Sequence, residues 1–107
     1  MVQQSISESR IWDLINEAEM RMSLRQRRMW DAVRVTPFQW PAPQYGVHGG
    51  EFWVVGVQGD IAIWYDDVEH GFYRSQYEAS AIVAAPRCGP NELEQVMENL
   101  LYRIENG

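Results

Sequence analysis

A chain of 107 residues, 46% of them hydrophobic, can close one core without disulfide or metal staples and is too apolar to be disordered. The net charge of −6 disfavours nucleic acid as a partner, and one cysteine, Cys88, excludes a disulfide framework or a Cys-based zinc cage. No apolar run approaches the ~18 residues of a membrane span.

The opening "MVQQSISESR" lacks the positive start and apolar centre of a signal peptide, so a cytoplasmic location is expected. Ser5 and Glu8 form a capping-box pattern, and Ile11, Leu14, Ile15, Ala18 and Met22 then recur at helical spacing. A helix over 7–22 is predicted. Ser23 and Gln26 make a second capping box, which predicts a helix from Leu24 to Val33. One long bent helix is the alternative. Leu24, Met29, Trp30 and Val33 are placed on its apolar side. Arg25, Arg27 and Arg28 form the one basic cluster, either solvated or paired with acids elsewhere.

Charge is uneven along the chain. Residues 1–40 hold six Arg against five acids, and residues 41–107 hold three Arg against ten acids. An acidic surface of this kind suits a basic partner.

Thr36 to Gly50, "TPFQWPAPQYGVHGG", is rich in Pro and Gly and is expected to be irregular, pinned by Phe38, Trp40 and Tyr45. Glu51 to Gln58 reads as a central strand, apolar on both faces. Gly59-Asp60 suits a type II′ hairpin turn into a strand over Ile61–Tyr65. That hairpin sets Gln58 opposite Ile61, Gly56 opposite Ile63, Val55 opposite Trp64 and Val54 opposite Tyr65. Side chains 53, 55, 57, 62 and 64 then share one face, and 52, 54, 61, 63 and 65 the other. Helices can cover one face. A partner, the long loop or a second copy must cover the other.

Phe72 to Tyr77 is predicted as a third strand near an edge, and Ala79 to Ala84 as a short fourth. Gly89-Pro90 is taken as the start of a last helix, with Leu93, Val96, Met97, Leu100 and Ile104 on its apolar stripe. The expected fold is α+β: an antiparallel sheet of three to five strands with N-terminal helices and a C-terminal helix packed mainly on one face.

The stretch "WYDDVEHGF" gathers Asp66, Asp67, Glu69 and His70 between two strands. It lacks the order of an EF-hand loop, and a zinc site would need more nitrogen or sulfur ligands. His48 and Glu51 would complete a metal site or a small metal-dependent enzyme only if the Gly-rich loop folds over the sheet end. The plainer reading is a polar connection with a negative edge. Asp66 and Asp67 point to opposite faces if both lie in strand, so Asp66 with Glu69 is the better carboxylate pair. Cys88 precedes a helix-start pattern that favours a thiolate, against the plainer reading of a small turn residue. No cofactor is expected.

The succession "RRMW…GGEFWVVGV…IWYDDVEHGF…NELEQVMENLL" resembles a family of small bacterial α+β proteins with no assigned activity. Arg27-Arg28-Met29-Trp30, Gly49 to Val55, Ile63 to Phe72 and the Leu93 helix carry the likeness, which covers residues 23–102. In size, acidity and helix–sheet–helix order the chain is also similar to toxin-immunity proteins of the SUKH type. The first resemblance implies a stand-alone α+β domain without a known reaction, and the second an immunity role. The leading expectation is a non-enzymatic domain that binds a protein partner or a second copy of itself, possible as a homodimer. Trp40, Tyr45, Trp53, Asp66, Asp67, Glu69 and Tyr73 are the candidate contact residues.

Overall fold

The computed structural model describes residues 6–41, 51–66, 70–78, 81–82 and 88–106. Two helices come first: α1 (Glu8–Arg21) and α2 (Leu24–Val33). Ser7, not Ser5, caps α1, its side chain accepting the Arg10 N–H at 3.1 Å. Ser5 lies outside the described residues. The break before α2 is the expected one. Ser23 accepts from the Gln26 N–H at 3.1 Å, and the Gln26 side chain accepts the Ser23 N–H at 2.8 Å. This reciprocal cap satisfies two donors that a helix start leaves open, so the region folds as two helices.

Among the described residues six strands follow, all paired antiparallel: β1 (Arg34–Pro41), β2 (Glu51–Gln58), β3 (Ile61–Asp66), β4 (Gly71–Glu78), β5 (Ala81–Ile82) and β6 (Cys88–Asn91). The order is β1-β2-β3-β4, with β5 and β6 sharing the outer edge of β4. The last helix, α3 (Leu93–Asn106), closes the chain. The fold is the expected α+β class.

Four local expectations are corrected. The stretch Thr36–Pro41, expected to be irregular, is part of β1. Its pairing with β2 shifts between Arg34 and Phe38, where Pro37 falls, and β1 is an edge strand. An edge or a bulge is where a residue without an N–H is tolerated. The strand containing Phe72–Tyr77 is interior, because β6 and β5 both pair with its outer side. Gly89-Pro90 belongs to β6 and does not open α3. The helix starts at Leu93, where the Glu92 carbonyl accepts the N–H groups of Gln95 and Val96 at 3.0 and 3.2 Å. On α3, Leu93, Val96, Met97 and Leu100 are buried, but Ile104 is 55% exposed.

The hairpin turn behaves as expected. Gly59 takes a φ of +62°, whereas Asp60 does not enter the left-handed region, as a type II′ turn requires. The register also holds from Gln58↔Ile61 through Gly56↔Ile63. Beyond it a bulge intervenes, so Val54 faces Trp64 and Trp53 faces Tyr65. The extra residue inverts the face relation predicted for the outer half of β2. Val55, Ile63 and Tyr65 join the helix-side core, with Trp53 packed against it. Phe52, Val54, Ala62 and Trp64 form a second cluster on the opposite face.

Gly56 lies beside the bulge, where the chain passes close under α2. A Cβ on it would lie 3.1 Å from Ile63 Cδ1, 3.3 Å from Trp30 Cζ3 and 3.3 Å from the Val33 carbonyl oxygen. The helix-side core is thus built directly against bare backbone, and Trp30 is fully buried there.

The second cluster is covered by aromatic side chains of the sheet itself. Phe38, Trp40, Val57, Tyr73 and Tyr77 pack against it, and Trp64 is only 1% exposed. Trp64 stacks on Tyr73 at 4.7 Å and donates its Nε1–H to Ser75 Oγ at 3.0 Å.

Candidate functional site

Among the described residues, the candidate contacts Trp40, Trp53 and Tyr73 do not share one face. Trp40 and Tyr73 pack on the second cluster, whereas Trp53 belongs to the helix side. The indole N–H of Trp53 is already spent on the Ile6 carbonyl at 2.8 Å. Asp66 is 7% exposed, at the end of β3 opposite Gly71. Tyr45, Asp67 and Glu69 lie outside the described residues, as does His48. His70 is exposed, with a φ of +56° at the turn into β4. Histidine is one of the few non-glycine residues enriched in that conformation. Among the described residues, no three His, Cys, Asp or Glu gather as a metal site would need. No described helix is long and apolar enough to cross a membrane.

Charge is organised instead on the helical layer, where Arg21 of α1 and the basic α2 meet acidic α3. Arg21 Nε donates to Glu94 Oε2 at 2.7 Å, and its Nη2 reaches Glu92 Oε2 at 2.9 Å. Burial works against the charge of Glu94. The hydrogen bond from Arg21 opposes this, together with a bond from the Glu94 backbone and the attraction of the guanidinium, and these outweigh it. The carboxyl is therefore held below its usual range, and the same hydrogen bond raises Arg21 above its own. Further along, the Gln26 amide donates to Glu98 at 3.1 Å, and Arg25 pairs with Glu105. The excess of Arg in the first 40 residues and of acids in the last 67 is thus partly an internal match.

Glu19 fastens the other side. Its Oε2 accepts the Trp30 indole N–H at 2.8 Å and Arg34 Nη1 at 2.7 Å, and Arg27 lies 3.7 Å from Oε1. The Arg34 guanidinium also sits 5.8 Å from the Trp30 ring centroid. The cluster Arg25, Arg27 and Arg28 therefore divides. Arg25 and Arg27 meet acids, while Arg28 makes no ion pair among the described residues.

Arg28 instead borders a groove of about 520 Å³ between α2 and α3, lined by Leu24, Arg25, Arg28, Met29, Ala32 and Leu101. Leu24 is 68% exposed, the one large hydrophobic of α2 left open to solvent. It was expected to share the apolar side of Trp30 and Val33. At about 100° per residue it lies roughly 120° around the helix from Trp30, so the two cannot enter one core. The pattern carried a signal for this second stripe. Leu24, Arg28 and Ala32 fall at spacing of four, and Leu101 follows Leu100, so only one of that pair can face inward.

No family model matches the chain, and no curated protein or solved structure proves similar to it.

Proposed function

We propose that this chain is a non-enzymatic protein-binding domain that uses the groove between α2 and α3. The observation that carries the reading is Leu24, an apolar side chain 68% exposed beside Met29, Ala32 and Leu101. Folding alone does not call for a leucine there, since Trp30 and Val33 already anchor α2 in the core. An apolar strip with a polar border is the usual anatomy of a contact surface. The sheet's aromatic face fits this role less well, because its large side chains are engaged with one another and Trp64 is buried.

The test is affinity capture from lysate of the source organism, comparing the wild type with Leu24→Glu and Ala32→Glu. Both positions are exposed, so both variants should keep the fold, as circular dichroism will show. Proteins retained by the wild type and lost from both variants support the reading. Identical retention by all three removes the groove from the binding function. Light scattering across a concentration series tests whether a second copy occupies the groove.

A further inference from the structure

We infer that the occupant of the groove is an acidic amphipathic helix of a partner protein, an inference that rests on the protein-binding reading above. The shape argues for a helix. The lining of α2 runs from Leu24 to Ala32, a rise of about 12 Å at 1.5 Å per residue, about two turns of a docked helix. The floor is apolar, from Leu24, Met29, Ala32 and Leu101. A helix laid into such a trough inserts anchors at i and i+4 or i+7.

The charge argues for acids on that helix. The chain as a whole carries −6, yet the groove border carries two of its nine arginines. Arg25 shares its charge with Glu105 at one end. Arg28 makes no ion pair among the described residues, whereas Arg10, Arg21, Arg25, Arg27 and Arg34 all do. Glu or Asp flanking the apolar anchors of the incoming helix would meet Arg28 and take a second position beside Arg25. A basic helix would meet the same guanidinium in repulsion. Complementarity of this kind selects partners and speeds encounter more than it adds affinity.

The probes are two fluorescein-labelled helical peptides with Leu at i, i+4 and i+7, one flanked by Glu and the other by Lys at the same positions. Fluorescence anisotropy reads affinity, and amide NMR shifts on the intact chain locate the site. The acidic peptide is expected to shift the amides of Leu24–Ala32 and Leu101 and to bind roughly tenfold more tightly than the basic one at low salt. Arg28→Glu should erase or reverse that preference, and raising the ionic strength should narrow it. Leu24→Glu should abolish binding of both peptides with the far-ultraviolet spectrum unchanged. Equal affinity for both peptides at the groove overturns the acidic class and leaves the protein-binding reading standing. Binding of neither peptide, or shifts elsewhere, overturns the helix occupant. If captured proteins are retained equally by Leu24→Glu and Ala32→Glu, the groove is not their site and the reading beneath this inference falls. Self-association that shifts the same amides assigns the groove to a second copy and overturns the inference.

Discussion

Trp40 and Tyr77 bring their rings to 5.0 Å although their strands are not neighbours. Trp40 pairs with Phe52 at one end of the sheet, and Tyr77 lies beyond Gln76, which faces Ile61 at the other. They are diagonally opposite corners. The pair can meet only because the sheet coils, as strongly twisted antiparallel sheets do. Phe38 extends the bridge with an edge contact to Trp40 at 5.1 Å, and the Tyr77 hydroxyl donates to the Gly59 carbonyl at 3.0 Å. The second cluster is thereby roofed by its own rim.

The bridge makes a quantitative prediction. Trp40→Ala and Tyr77→Ala should each destabilise the fold by about 2–3 kcal/mol, because both remove a large, half-buried ring. If the rings act as a pair, the double variant should fall short of the sum by roughly 0.5–1.5 kcal/mol. Urea unfolding of the four proteins gives the coupling. A sum that is strictly additive would mean that the two corners close independently.

Arg21 and Glu94 give a pH dependence. The folded carboxyl of Glu94 titrates below its unfolded value of about 4.3. The stabilisation is therefore complete above that value and is lost as pH falls through the folded pKa. Arg21, raised further, stays charged throughout and adds no alkaline arm. Glu94→Gln should cost roughly 1 kcal/mol at pH 7, the modest figure fitting an arginine that is nearly half exposed. The gap to wild type should close in urea melts as the pH falls through the folded pKa of Glu94. A gap that persists there would show that Glu94 acts through packing and not charge.

Much of this architecture was open to a reader of the sequence, and the failures share a cause. Ser23 with Gln26 and Gly59 with Asp60 are local devices, and each fixes its turn without help from the rest of the chain. The bulge beside Val55 is not local. It adjoins Gly56, over which Trp30 of α2 packs closely enough that a Cβ would meet it. The same holds for β1 and β6. Pro37 signals irregular chain and Gly89-Pro90 a helix start, but those backbones pair with the open edges of β2 and β4. Among the described residues, Trp53 parts from the other candidate contacts for a related reason. The bulge sends Trp53 to the helix side, away from Trp40 and Tyr73.

Gly56 can be tested directly. Gly56→Val adds three carbons where the first already lies 3.3 Å from the backbone oxygen of Val33. Ile63 can swing its terminal methyl aside, but the α2 backbone cannot move without lifting Trp30 from the core. The variant should lose roughly 2–3 kcal/mol or more, with a red shift in tryptophan emission as Trp30 meets water. Stability within about 0.5 kcal/mol of wild type would show that α2 is not seated against β2 as described.

Glu19 carries the join between α1, α2 and β1, and two substitutions separate its roles. Glu19→Gln keeps an amide oxygen that can still accept the Trp30 indole N–H, but it loses the charge that faces Arg34. Because Arg34 is about one-third exposed, that loss should stay near 1 kcal/mol. Glu19→Ala also strips the acceptor from Trp30, whose ring is fully buried. Leaving that donor unpaired adds about 1–3 kcal/mol. The alanine variant should therefore be clearly the weaker of the two in thermal or urea unfolding. Equal losses would mean that the ion pair with Arg34, and not the indole bond, is what holds the α1–α2 corner together.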